Sequence, residues 1–520
     1  MARKPNFLYI MTDQHRFDWL GCSGHPVVKT PNIDALAAQG TLFEQFHIAT
    51  PVCMPNRASF MTGRYPSVHG LRYNGCLLPQ RANTFVEVLK ASGYRTASIG
   101  KSHLQPFSDY PADDWSKTET GPIAEAWKPD AMPYDREEPD RYRSDGYYDF
   151  PTPYYGFDHV DVVTGHGDRA GGHYQQWFRQ KHTNWQELTD PANELPHNYT
   201  CPQAYRTPIP EDSYPTAFIR DKAKEYLRVE ANSDDPFFAF VSFGDPHHPF
   251  NPPGKYWDMY NPDDFDLNVR FEDHKNPPPP LMDAKRAYGE GEGQKTLQTA
   301  FMASDQNVRE AMALTAGMIT MIDDAVGEIV AELKASGQYD NTVIIFNSDH
   351  GDYMGDFNMM LKGAWAHHSI NRVPMIWSDP QDRSPSVTSV LASTIDISTS
   401  ILDRADIAPY FGIQGRSFLN AMKTDDRLRH SLLIEYNDGM PRMGFSTPAR
   451  VRTVVSPQWQ LTVYKGLDWG ELYDRIDDPH QTNNLWDSDD HMHIRAELFE
   501  DMTQHLIAQM DESPRSNRRA

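Results

Sequence analysis

Cysteine is scarce: Cys22, Cys53, Cys76 and Cys201 are the only four in 520 residues. None shares the short paired spacing of a zinc or dithiol motif, and a chain this long needs no disulfide staples, so a reducing compartment is the default. Long apolar runs are missing as well. No stretch approaches membrane-spanning length, and the first apolar run, 7–11, is interrupted by Thr12 and Asp13 well short of a secretion signal's core. Together these features predict a cytoplasmic protein with no membrane partner. Positive charge is also in short supply: 49 Lys and Arg against 72 Asp and Glu give a net −23. Such a field repels nucleic acid phosphates and anionic lipid surfaces. Apart from Arg515, Arg518 and Arg519 near the C-terminus there is no basic cluster, so no nucleic acid partner is expected. Repeats of fixed period are absent.

What is present reads as alternating strands and helices, hence an α/β fold with a large, mostly parallel sheet sandwiched by helices. Runs at 7–11, 95–99, 237–243, 342–346 and 373–377 are buried strands. Thr30-Pro31 is a helix start, with Ile33, Leu36 and Ala37 as the apolar face and Gly40 as the stop. Thr84 and Glu87 form a capping box. The longest helix signal runs from Val308 through Met312, Ile319, Ile322 and Val326 to Leu333, closed by Gly337, and its methionines are core filling. Between 105 and 235 the pattern dissolves into Pro, Tyr, Trp and Asp, which predicts a loop-rich insertion over a site. After Ala405 the texture changes to short strands at 432–436 and 459–464 and an amphipathic helix over 490–510. The expected division is a catalytic α/β domain over 1–405 and a smaller C-terminal α+β subdomain, an antiparallel sheet plus helix, over 406–520.

Polar residues collect just after the apolar runs: Asp13-Gln14-His15, then Lys101 and His103, then Asp245 with His247 and His248, then Asp349-His350. In an open α/β sheet, ligands sit outside the carboxyl ends of the strands, so these clusters should converge on one site. Asp13 with Gln14, and Asp349 with His350, supply hard and borderline ligands for a divalent ion. The segment 53–64 is the sharpest. Pro55 favours a helix start, placing Cys53 at the positive helix end with Arg57 one turn on, which makes an anion pocket with a nucleophile at its mouth. Its spacing, Cys-x-Pro-x-Arg, differs from the Cys-x5-Arg loop of cysteine phosphatases.

With that motif followed by Thr62-Gly63-Arg64, and with Glu471-Leu472-Tyr473-Asp474 and Asp478-Pro479 near the C-terminus, the sequence resembles the sulfatase family of the alkaline phosphatase superfamily nearly end to end. The resemblance implies an alkaline-phosphatase-like sheet and a Cys53 oxidised to Cα-formylglycine by a transiently bound formylglycine-generating enzyme. It implies one divalent metal ion, Ca2+ or Mn2+, held by Asp13, Gln14, Asp349, His350 and the modified Cys53. Arg57 would hold the aldehyde hydrate in its reactive form. Lys101, His103 and Lys362 would neutralise the transferring group, and His247, in Pro-His-x-Pro, would serve the leaving oxygen, with His248 as the adjacent alternative. Asn74 falls in a stretch that contacts substrate in a subgroup of these hydrolases. The implied reaction is attack of the hydrate on the sulfur of an aryl or small alkyl sulfate.

Two features pull apart. The pairs Asp13-Gln14 and Asp349-His350 resemble the phosphonate monoester hydrolase and phosphodiesterase branch, whereas Lys101 and His103 resemble sulfatases. The expected function is therefore sulfate monoester hydrolysis with side activity on phosphonate monoesters and phosphodiesters. The alternative is a phosphonate monoester hydrolase with side sulfatase activity, and a non-catalytic oxyanion binder is the competitor from another class. A homodimer or homotetramer is expected for an enzyme of this size.

Overall fold

Strand β1 (Asn6–Thr12) is buried along its whole length, and because side chains alternate along a strand it feeds two cores. Phe7, Tyr9 and Met11 enter one, Leu8 and Ile10 the other. The computed structural model describes residues 3–108, 123, 125–128, 130–144, 146–293 and 298–518. Arg519 and positions 109–122 of the 105–235 stretch lie outside the described residues. Around β1 the chain builds a nine-stranded sheet with β2 (Thr41–Phe43), β3 (Arg95–Gly100), β4 (His159–Thr164), β5 (Gly171–Gly172), β6 (Phe237–Ser242), β7 (Thr342–Ser348), β8 (Met375–Ser378) and β9 (Ser386–Thr388). Their order is β9-β2-β8-β7-β1-β6-β3-β4-β5, and the central run from β7 to β4 is parallel throughout.

Strand β8 runs antiparallel to both of its neighbours, so the sheet is mixed rather than uniformly parallel. The cause lies in the connection. Only short 3-10 and four-residue helices occur between β7 and β8, and without a crossover helix the chain returns beside the strand it left. Met375 accordingly pairs with Asn347 at the end of β7.

Six of the helices that cover the sheet are α1 (Pro31–Ala37), α2 (Cys53–Thr62), α3 (Phe85–Ala91), α4 (Pro215–Glu230), α5 (Asp305–Ala335) and α6 (Thr394–Arg404). Helices α1, α4 and α5 cover the Leu8 face, through Ile33, Phe218 and Ile322 among others. Helices α2, α3 and α6 cover the Tyr9 face, through Phe60, Phe85 and Ile397. The capping box of α3 forms as expected. Helix α1 ends at Ala37, before Gly40. That glycine serves the sheet instead, since a Cβ there would stand 2.5 Å from the Trp377 carbonyl oxygen. Helix α2 begins at Cys53 itself, ahead of Pro55.

The 105–235 stretch holds more regular structure than a loop-rich insertion. It contributes β4, β5, a helix at His173–Lys181 and the 16-residue α4. Helix α4 buries Phe218, Ile219, Ala223, Tyr226 and Leu227 between charged residues, a stripe whose small and aromatic members weaken the periodic signal. Beyond the main sheet, β10 (Leu432–Asn437), β11 (Arg450–Val455), β12 (Trp459–Tyr464) and β13 (Gly470–Asp474) form an antiparallel meander. Helix α7 (Met492–Ala508) packs Leu498 and Met502 on its Leu433, Val454, Leu461 and Leu472. Among the described residues no helix is long and apolar enough to cross a membrane.

Candidate active site

The parallel strands deliver the site residues to one edge of the sheet. Asp13 follows β1, Lys101 follows β3, Asp245 to His248 follow β6, and Asp349 with His350 follow β7. Backbone bonds lock these ends together: Asp349 N donates to Thr12 O and Asp13 N to Asp245 O, each at 3.1 Å. Facing them is the N-terminus of α2. Its first residue, Cys53, is buried at the positive end of the helix.

One ligand atom from each of Asp13, Cys53, Asp349 and His350 lies within 4.8 Å of every other. His350 Nδ1 donates to the Gly351 carbonyl at 2.9 Å, which leaves Nε2 as the lone pair. That atom is 3.3 Å from Cys53 Sγ and 3.6 Å from an oxygen of both Asp13 and Asp349. Asp13 Oδ1 is buried with no hydrogen-bond partner among the described residues, a costly arrangement unless something else satisfies it. Two carboxylates, an imidazole oriented by a backbone carbonyl and an orphaned oxygen fit a divalent metal. Gln14 sits beside this cluster. Its Oε1 accepts from Lys362 Nζ at 2.6 Å, and its amide nitrogen reaches Asp352 and, at 3.2 Å, His248.

Two basic side chains, Arg57 and Lys101, press on the two carboxylates. Arg57 is fully buried and donates from Nε to Asp349 at 2.8 Å and from Nη2 to Asp13 at 3.3 Å. Its Nη1 is used by the Lys101 carbonyl and Ser242 Oγ, both at 2.8 Å. Arg57 thus bridges the two carboxylates. Lys101 Nζ pairs with Asp13 and donates to His166 Nε2 at 2.7 Å. Burial opposes ionisation of Asp13, yet Lys101 and Arg57 hold its carboxyl well below the usual range. Burial, and after it the Asp13 carboxylate, work against the Cys53 thiolate, and Lys362 with Lys101 overcome them to bring the thiol pKa down.

Histidines line the other wall. His247 Nδ1 donates to the His248 carbonyl at 2.7 Å, so its Nε2 accepts from Lys362 Nζ at 3.1 Å. Burial, reinforced by His166 and His248, pushes the His247 pKa well down. His103 stacks on Phe107 at 4.0 Å, and its Nδ1 has no hydrogen-bond partner among the described residues. Asn74 is at the exposed mouth, where its Oδ1 accepts from Met54 N at 3.2 Å and so caps α2. The geometry thus gathers Asp13, Gln14, Cys53, Arg57, Lys101, His247, His248, Asp349, His350 and Lys362 around one centre. Asn74 touches it through the backbone of α2.

Three further residues belong here that sequence reasoning missed. His166 stacks on His247 with centroids 3.6 Å apart and lies just past the end of β4, where the same rule of polar residues after strands would have found it. Asp352 accepts from Met354 N at 2.6 Å and from Gln14, and burial raises its pKa to about 6. Asn56 joins the Ala49 amide, at 3.0 Å, to the Asp349 carbonyl.

Known proteins share this arrangement of chain. The family model described as Sulfatase matches residues 5–407, and a second, described as N-sulphoglucosamine sulphohydrolase, C-terminal, matches 355–508. The chain is 29% identical over 525 residues to an ulvan-active sulfatase of Formosa agariphila, covering 98% of this chain and 82% of that one. It is 27% identical to an arylsulfatase of Clostridium perfringens, covering 94% and 91%. Among solved structures, a phosphonate monoester hydrolase of Agrobacterium radiobacter superposes with a TM-score of 0.77 at 24% identity, covering 98% and 97%; it supports the fold.

Proposed function

The chain belongs to the sulfatase family, and from that premise we propose that it hydrolyses aryl or small alkyl sulfate monoesters with a nucleophile derived from Cys53, with side activity on phosphonate monoesters and phosphodiesters. The observation that carries the reading is the Cys53 side chain, held among Asp13, Asp349 and His350 with Lys101 and Lys362 alongside. Oxidised to formylglycine by its generating enzyme, position 53 presents an oxygen nucleophile at the positive end of α2. A divalent ion, Ca2+ or Mn2+, held by Asp13, Gln14, Asp349, His350 and position 53, would acidify that nucleophile and draw charge from the transferring group.

The chain's own groups do the rest. Arg57 keeps Asp13 and Asp349 facing inward. Lys101, His103 and Lys362 neutralise the group in transfer. His247 Nε2, 3.1 Å from the Lys362 ammonium, can relay a proton towards the leaving oxygen. Asn74 and His248 frame the substrate.

Gln14 and His350 favour a second reading, a phosphonate monoester hydrolase with side sulfatase activity. Both substrates leave a single negative charge on the transferring group, so one pocket serves both. Comparing kcat/KM on nitrophenyl sulfate and on a phenyl phosphonate monoester decides between them. The expected result favours the sulfate; a preference for the phosphonate by about a hundredfold, roughly 2.7 kcal/mol of transition-state stabilisation, reverses the assignment.

A further inference from the structure

A second group of ligand atoms lies apart from the Cys53 centre. Asp356, His367 and His368 place one donor atom each within 4.8 Å of one another, in the segment that crosses from β7 to β8. Asp356 is 1% exposed, and its Oδ1 has no hydrogen-bond partner among the described residues. His368 Nε2 is likewise buried without one. His367 Nε2 faces the His480 carbonyl at 3.3 Å, which makes Nε2 the donor and leaves Nδ1 as the lone pair, 3.8 Å from Asp356 Oδ2. That is the arrangement by which metal-binding histidines are oriented, with one ring N–H on a backbone carbonyl and the other nitrogen on the ion. His367 Nδ1 now accepts from the Ser369 hydroxyl at 2.7 Å and from the Ser369 amide at 3.4 Å, contacts it would exchange for the ion.

Charge is compatible with a cation. Arg16 stands 3.0 Å from Asp356 Oδ2, but it is also paired with Asp18 at 2.7 Å, so two carboxylates answer one guanidinium. Two imidazoles and one carboxylate select a zinc-like ion over Ca2+ or Mg2+. His368 is part-exposed, and the exposed His480, its ring 6.4 Å from that of His368, stands at the entrance.

We propose that Asp356, His367 and His368 form a second metal site that takes one zinc-like transition-metal ion and ties the segment between β7 and β8 to the C-terminal segment carrying His480. The ligand atoms must draw together by roughly an ångström to reach zinc-type bond lengths. The test is a Co2+ titration of the whole protein in excess Ca2+, read by visible absorption and by bound-metal stoichiometry. Wild type is expected to bind one Co2+ with an absorption band that Asp356→Asn and His368→Gln each weaken by at least about tenfold in affinity, while the far-ultraviolet circular dichroism of both variants without Co2+ matches wild type. If one variant fails to fold, the other decides. Wild type that binds no Co2+, or a folded variant that keeps the band and stoichiometry of wild type, overturns the proposal.

Discussion

Lys362 is the residue on which charge and proton handling meet, since its ammonium donates to both Gln14 Oε1 and His247 Nε2. Replacing it by Ala removes a fixed cation aimed at the site. The expected loss in kcat/KM on an aryl sulfate is about 10²–10³-fold, checked by steady-state kinetics on a variant with wild-type circular dichroism; a loss under about tenfold contradicts the role. His69 offers a residue-scale test of burial. Its Nδ1 accepts from Leu71 N at 3.2 Å and its Nε2 lies 3.1 Å from Ser59 Oγ. Burial, helped by Arg64, lowers its pKa from 6.5 to about 3. As pH falls below 6.5 the unfolded chain takes up a proton that the native ring refuses, so stability falls towards pH 3. Relative to His69→Gln, wild type should lose about 2 kcal/mol between about pH 7.5 and pH 5 in urea unfolding. A difference that does not vary with pH would show the ring to be solvated.

At the scale of elements, legibility followed local chemistry. Thr84 and Glu87 predict a capping box, and it forms: Glu87 N reaches Thr84 Oγ1 at 3.2 Å and Thr84 N reaches Glu87 Oε2 at 2.8 Å. Thr84 is also buried against the Tyr155 carbonyl at 2.8 Å. Thr84→Ala should therefore cost about 1–2 kcal/mol, seen as a lower urea midpoint with an unchanged slope. Strands β1, β6 and β7 were readable because buried strands in parallel sheets are apolar almost without break. The direction of β8 was not, since antiparallel return depends on what the 349–374 segment packs against. Helix α4 was obscured by the small and aromatic members of its buried stripe, and with β4 misread as loop, His166 went unseen. Asp13, Asp349 and His350 were legible from their place after strands; the partners of Arg57 were not, because all four come from distant segments.

Over the whole molecule, a net charge of −23 coexists with a buried centre where Arg57 and Lys101 face two carboxylates and Lys362 faces Gln14 and His247. Sequence composition reports the first and only the fold reveals the second, because local potential is set by which charges the sheet edge brings together. The most direct test of the central claim is the mass of the tryptic peptide spanning 30–57, taken from a preparation that turns over aryl sulfate. The account predicts a peptide in which position 53 has exchanged its sulfur and two hydrogens for one oxygen. Full activity with only the thiol form present would contradict it.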